Sequence, residues 1–332
     1  MKSKKPLGLI VPLLKRSPAL KHFSLPTKGV LNLRDLERVG TLGRGSGGIV
    51  YKALHCKSSS YCALKVICVD LHDSSLITRE MDILRKTDCP YAVKCQDIFH
   101  QGGNINFVLE YMDGGSLGDL LRHQTRMSES CLAKVGRQVM EGLGYLHSEG
   151  IVHRDIKPSN ILISKNLKRI IIADFGVSRF VSPTTDPCCN SYVGTCAYMS
   201  PERIDPERYG GRYNGYAGDI WSLGLTLLEC YVGHFPYLTA GEQADLYAIC
   251  VEDPPTAPSS ASADFRNFIG CCLEKNVDKR WTASQLVKHP FLNRSLQVEG
   301  RCSPSLSFRC LILAITSFDR LRILGRHRLP TV

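Results

Sequence analysis

The 332-residue chain has 43% hydrophobic and 22% charged side chains, a composition that fills the core of one large domain or two ordinary ones and excludes a wholly disordered chain. Its net charge of +11 suggests a nucleic-acid surface until it is mapped. Residues 1–30 carry seven Lys/Arg and no acid, and residues 294–332 carry seven Arg against Glu299 and Asp319, which leaves 28 basic and 29 acidic residues in 31–293. The neutral middle argues against nucleic acid as a partner. Fifteen cysteines without a C-x-x-C pair, with adjacent Cys188-Cys189 and Cys271-Cys272, read as reduced thiols in the cytosol or nucleus rather than a disulfide framework. Pro6 and Pro12 interrupt the apolar run Leu7 to Leu14, against a signal peptide. The apolar stretch Cys310 to Phe318 is nine residues, short of the roughly 18–20 a membrane helix needs, so no membrane span is expected.

From Leu31 to Tyr111 short β-type runs alternate with turns: 48–51, 61–67 and 105–109. One helix interrupts them, capped by Ser74 or Ser75, with Leu76, Ile77, Met81, Ile83 and Leu84 apolar and Glu80 among them. This predicts a small sheet with one helix. Beyond Gly114-Gly115-Ser116 the pattern turns helical. Leu132, Val135, Val139, Met140, Leu143 and Leu146 place one buried stripe on a helix over about 129–147. Asp219 to Tyr231 is apolar nearly all round and reads as a helix buried on every side. Segments 182–187 and 253–262, rich in proline with serine, threonine and alanine, read as loops.

The segment Leu42-Gly43-Arg44-Gly45-Ser46-Gly47-Gly48-Ile49-Val50 holds G-x-G-x-x-G, and β-type residues follow it where a dinucleotide fold would start a helix. A glycine hairpin between strands is therefore expected, its bare backbone able to approach a triphosphate. Lys65, in Ala63-Leu64-Lys65-Val66, needs a partner if buried, and Glu80 on the following helix supplies one. His153-Arg154-Asp155-Ile156-Lys157-Pro158-Ser159-Asn160 and then Asp174-Phe175-Gly176 follow in order.

On these motifs the sequence resembles the eukaryotic protein kinases over about residues 37–292. The resemblance implies a two-lobed α+β fold: a small antiparallel-sheet N-lobe with one main helix (37–110) and a larger, mainly helical C-lobe (114–292). ATP and Mg²⁺ are the implied cofactors. Asp155 would accept the proton of the attacking hydroxyl, Lys157 would reach the γ-phosphate, Lys65 and Glu80 would form the phosphate-orienting pair, and Asn160 and Asp174 would hold the metal. Gly43 to Val50, including Arg44, Ser46, Gly47 and Ile49, would cover the nucleotide. Leu42, Val50, Ala63 and Leu162 would sandwich the adenine, Leu109 would gate the back pocket, and the backbone at Glu110 and Met112 would form the hinge. Ser200-Pro201-Glu202 stands for A-P-E; Glu202 and Arg280 would form a buried ion pair, and Asp219 would support the catalytic-loop backbone.

The stretch Asn190 to Arg203, with Val193-Gly194-Thr195-Cys196-Ala197-Tyr198-Met199-Ser200-Pro201-Glu202, resembles the MAP kinase kinases, as does Glu110-Tyr111-Met112-Asp113-Gly114-Gly115-Ser116-Leu117. That resemblance implies a MAP kinase substrate phosphorylated on Thr and Tyr, and an upstream MAP kinase kinase kinase. Thr185 and Ser191 fit the S/T-x5-S/T phosphorylation spacing of the plant branch, with Ser182 and Thr184 competing for the first site. Lys4-Lys5-Pro6-Leu7-Gly8-Leu9 fits a docking peptide in which Leu7 and Leu9 enter a groove and Lys4 and Lys5 meet acidic groups; the alternative is a solvated tail. The 294–332 segment is expected to be a disordered tail, with an anionic-surface contact through 308–322 or a gene-model extension as alternatives. Nothing requires an obligate dimer, so a monomer is expected. Another Ser/Thr kinase of the same cascade is the nearest rival reading, and a pseudokinase scaffold the more distant one.

Overall fold

The computed structural model describes residues 31–45, 47–123, 126–181, 188–189, 194–209, 211, 213–237 and 246–297. Five strands, β1 (Leu36–Gly45), β2 (Gly48–His55), β3 (Ser60–Cys68), β4 (Cys95–Gln101) and β5 (Asn104–Glu110), form one antiparallel sheet in the order β1-β2-β3-β5-β4. Two of its hairpins follow from glycine. Gly45 faces Gly48 across the first turn, and Gly102-Gly103, both left-handed at φ 57° and 73°, close the two-residue turn between Gln101 and Asn104.

The helix α1 (Ser74–Lys86) crosses between β3 and β4. Its cap is Asp73, whose carboxylate accepts from the Ser75 amide, and neither predicted serine fills that role. A carboxylate one residue earlier offers the N-terminal amides a charged acceptor that also meets the positive end of the helix dipole. Ile77, Met81, Ile83 and Leu84 are buried beneath it, Leu76 only partly.

The C-lobe begins with α2 (Leu117–Arg122), started by a Ser116/Asp119 capping box, and α3 (Glu129–Ser148). The predicted stripe on α3 is buried throughout. Short strands then carry the catalytic segments: β6 (Ile151–Val152) with β9 (Arg179–Phe180), β7 (Ile161–Ile163) with β8 (Ile170–Ile172), and β10 (Cys188–Cys189) with β11 (Tyr213–Asn214). Among them lies α4 (Pro201–Ile204).

The helix α5 (Gly215–Val232) starts at Asn214, whose side chain accepts from the Tyr216 and Ala217 amides, and ends at left-handed Gly233. Trp221, Leu223, Leu225 and Leu227 are fully buried, as the all-round apolar pattern predicts, at about 1.5–3 kcal/mol for each large apolar side chain. The chain continues through α6 (Leu246–Val251), the predicted loop at 253–262, α7 (Ala263–Cys272), α8 (Ala283–Leu286) and α9 (Pro290–Gln297). One apolar core runs unbroken from Ile77 and Phe107 in the N-lobe to Trp221 and Phe265 in the C-lobe. No helix among the described residues is long and apolar enough to cross a membrane.

Candidate active site

Between the lobes the glycine hairpin lies over Lys65: a Cβ built on Gly47 would come 3.5 Å from Lys65 Nζ. A Cβ on Gly43 or Gly45 would meet nothing within 4 Å. Gly48 is glycine for another reason. At φ 102° its Cβ would stand 2.3 Å from the Val66 carbonyl oxygen, so packing against β3 alone excludes a side chain. Arg44 is exposed and Ile49 and Val50 are half-buried; Ser46 lies outside the described residues.

Lys65 is buried in the middle of β3, opposite Phe107 of β5. Its Nζ donates to Glu80 Oε1 at 2.6 Å and to Asp174 Oδ1 at 2.9 Å. Burial alone would lower the Lys65 pKa, but the carboxylates of Asp174 and Glu80 reverse this and hold the ammonium charged. Asp174 is held down to about 2, chiefly by Lys65. Glu80 moves the other way, because burial outweighs its lysine partner. One ammonium thus ties α1 to the Asp174-Phe175-Gly176 turn.

The second group is built on the loop after β6. Asp155 Oδ2 accepts from Asn160 Nδ2 at 2.9 Å and lies 2.7 Å from Lys157 Nζ; Oδ1 accepts from the Thr195 amide at 2.9 Å. Lys157 Nζ also donates to Thr195 Oγ1 at 2.5 Å. Burial would raise the Asp155 pKa, yet the hydrogen bond and charge of Lys157, with Thr195, hold it below the usual carboxylate value. The carboxylate is therefore kept ionised and aimed from three sides.

Beneath this loop Asp219 is buried at the start of α5 and accepts from the amides of His153 (2.9 Å) and Arg154 (2.8 Å) and from His147 Nε2 (3.0 Å). Those bonds support Arg154 in its left-handed conformation, φ 69°. Asp174, at φ 67°, is the second such residue at the site. The two motifs are joined directly: Ala173 N–H donates to the Asn160 carbonyl at 2.9 Å, and His153 Nε2 lies 3.1 Å from the Ala173 carbonyl.

Val50, Ala63, Leu109 and Leu162 are partly or fully buried, and Leu42 is the most exposed of the predicted adenine contacts. Met112 is buried at the hinge, and its N–H has no acceptor among the described residues. Thr185 and Ser191, and Lys4, Lys5, Leu7 and Leu9, lie outside the described residues. Glu202 and Arg280 make the expected buried pair, bidentate at 2.7 and 3.1 Å.

Three contributors escaped sequence reading. Thr195 holds both Asp155 and Lys157, Ser178 Oγ donates to the His153 carbonyl (3.0 Å), and Arg203 Nη1 donates to the Arg154 carbonyl (2.8 Å). All four bonds span more than twenty residues, and no local spacing rule reports such pairs.

Residues 36–292 match the family model described as the protein kinase domain. The chain is a protein kinase. Curated relatives narrow this further. The kinase is 50% identical over 271 residues to Mitogen-activated protein kinase kinase 9 of Arabidopsis thaliana, covering 79% of this chain and 86% of that protein. Over 310 residues it is 45% identical to Mitogen-activated protein kinase kinase 7 of the same plant, covering 89% and 99%. It is also 43% identical over 280 residues to Mitogen-activated protein kinase kinase SIPKK of Nicotiana tabacum, covering 80% and 76%. The kinase belongs to the MAP kinase kinases, and the two-lobed α+β fold expected from its motifs is the fold observed.

A protein kinase takes ATP and a divalent metal, and the residues present fit both. The bare backbone of Gly47 close to Lys65, the Lys65 ammonium and the Met112 amide suit a purine triphosphate. With Asn160 Nδ2 committed to Asp155, Asn160 offers a cation its Oδ1, and the ionised Asp174 directly follows Ala173, whose amide bonds the Asn160 carbonyl. One amide oxygen and one carboxylate form a hard-oxygen set of the kind completed by phosphate oxygens and water.

Proposed function

We propose that this MAP kinase kinase transfers the γ-phosphate of Mg–ATP to the Thr and Tyr hydroxyls of a MAP kinase activation loop. The observation that carries the reading is the Asp155 carboxylate, held by Lys157, Asn160 and Thr195 in the same conformation that closes the Lys65–Glu80 and Lys65–Asp174 contacts. Asp155, kept ionised and fixed in orientation, accepts the proton of the incoming hydroxyl. Lys157 spreads positive charge toward the transferred group, and Lys65, fixed by Glu80, orients the phosphates. Asn160 and Asp174 hold Mg²⁺, which neutralises phosphate charge when bound. Leu42, Val50, Ala63 and Leu162 enclose the adenine, with backbone contacts at Glu110 and Met112.

Thr185 and Ser191 receive activating phosphates from an upstream MAP kinase kinase kinase, a reading supported by their spacing and by the family. Lys4, Lys5, Leu7 and Leu9 dock the MAP kinase, supported by their alternation of basic and apolar side chains. The kinase acts as a monomer, since one chain supplies every side chain of the network, and it works in cytosol or nucleus, in keeping with thiols at each described cysteine outside β10.

The test uses the full chain carrying Thr185→Asp and Ser191→Asp, with Mg–ATP and a catalytically inactive MAP kinase. Phosphate is expected on both Thr and Tyr of the target loop and is lost with Asp155→Asn. Phosphate on neither, with Asp155→Asn indistinguishable from its parent, overturns the reading. Phosphate on Thr alone restricts it to a Ser/Thr kinase.

A further inference from the structure

We infer that Arg169 is a positioning residue for nucleotide binding, acting through Glu110 to fix the hinge; this rests on the hinge being the adenine contact. Glu110 is the last residue of β5, and two separate segments converge on its carboxylate. Arg169, just before β8, donates Nη1 to Oε2 and Nη2 to Oε1, the second at 3.1 Å. From the connection before β4, the Lys94 amide donates to Oε1 at 2.7 Å, while the Glu110 amide donates back to the Lys94 carbonyl at 3.0 Å.

The rest of the hinge is sewn to the same β7–β8 hairpin. Asp113 Oδ1 accepts from the Lys165 amide at 2.9 Å, the Gly114 amide donates to the Ile163 carbonyl at 3.0 Å, and the Ile163 amide donates to the Gly115 carbonyl at 2.9 Å. A Cβ on Gly114 would lie 2.7 Å from the Ile163 carbonyl oxygen, so the two backbones are as close as they can come. The hairpin also carries Leu162. Arg169 therefore locks the N-terminal end of a connection whose other end is pinned by backbone. On the opposite side Lys52 Nζ stands 4.8 Å from the Tyr111 ring centroid and 4.2 Å from that of Tyr61.

Stability is a poor explanation for this clamp. The Arg169 side chain is 45% exposed, and solvent-exposed ion pairs contribute little to folding. What a bidentate guanidinium–carboxylate pair supplies is direction. Here it fixes the plane of a carboxylate two residues before the Met112 amide. Because the Lys65–Glu80 and Lys65–Asp174 contacts are closed in the same conformation, the clamp accompanies an assembled site and holds it, and it is not a brake on assembly.

Titration of the full-length kinase with fluorescent mant-ADP and Mg²⁺ tests this without any protein substrate. Arg169→Ala is expected to raise the Kd about three- to tenfold, with a matching rise in KM for ATP, a smaller change in kcat and a melting temperature within about 2 °C of the parent. Arg169→Lys, able to reach one carboxylate oxygen at a time, should recover part of the affinity. An unchanged Kd in Arg169→Ala, or a raised kcat at constant KM, overturns the inference. A raised Kd that appears only with a fall in melting temperature, and that Arg169→Lys leaves uncorrected, overturns it too. Absence of mant-ADP binding by the unsubstituted kinase overturns the nucleotide reading itself, and this inference with it.

Discussion

Thr195 and Asp155 lie 40 residues apart and meet twice over: the Thr195 amide donates to Asp155 Oδ1, and the Thr195 hydroxyl accepts from Lys157, whose ammonium is also against Asp155 Oδ2. The triangle restrains the base from both of its oxygens. It also makes the end of the activation segment part of the catalytic loop's support, so that the segment's position and the aim of Asp155 are one variable.

Thr195→Val keeps the amide and removes the acceptor of Lys157. A hydrogen bond to a charged donor contributes about 1.5–3 kcal/mol, so kcat should fall by about one to two orders of magnitude. Thr195→Ser restores the hydroxyl and should restore most of the rate. Steady-state phosphorylation of an inactive MAP kinase measures both; a Thr195→Val enzyme with the parent's kcat would show that Lys157 needs no such anchor.

Lys65→Met should abolish turnover and carry a pH signature in stability. Burial already raises the Glu80 pKa above its ordinary 4.5 although Lys65 opposes the shift, so removing the ammonium raises it further. A carboxyl with a raised folded-state pKa contributes stability below its unfolded pKa and loses it as pH rises through the folded one. The variant should thus trail the parent in melting temperature by a margin that widens from about pH 5.5 to about pH 8, on top of a constant deficit from the lost Lys65–Asp174 pair. A gap that is constant with pH, or that narrows toward alkali, would contradict the assignment of Glu80 as the uncompensated group.

The glycines of the hairpin separate into two kinds. Gly48→Ala forces a side chain at φ 102° against the Val66 carbonyl and should destabilise the kinase by about 1–3 kcal/mol, read from urea unfolding. Gly45→Ala meets no atom within 4 Å and should leave unfolding unchanged while raising KM for ATP. Equal effects of the two on stability would dissolve the distinction.

That contrast shows where the sequence was legible. The hairpin, the buried lysine strand and the two metal-side motifs were readable because each is a local string whose chemistry demands its spacing. The buried α5 was readable from an apolar run without a polar face. Strands β1 and β4 were not delimited, because most of their residues are exposed or half-buried and neither shows a clean apolar alternation. The Asp73 cap was missed because two serines stood where a cap is also acceptable. The contacts of Thr195, Arg203 and Arg169 depend on how distant segments meet, which no window of sequence contains.

Arg280 offers the sharpest stability test. Its guanidinium is fully buried, bidentate to Glu202, and donates further to the carbonyls of Ala217 at 3.0 Å and Glu274 at 2.8 Å, so it joins α4, the start of α5 and the loop after α7. Arg280→Ala leaves Glu202 buried without its partner and should destabilise by roughly 3–5 kcal/mol. Arg280→Lys cannot reproduce the fork, nor reach two backbone carbonyls while engaging both carboxylate oxygens, and should recover only part of this. Replacing both partners, as in Glu202→Leu with Arg280→Met, removes the uncompensated charge and should be less destabilised than Arg280→Ala, although the two carbonyls still lose their donor. Urea unfolding of the three variants checks the order. If the double variant were the least stable, the pair's value would lie in the backbone carbonyls and not in the buried charges.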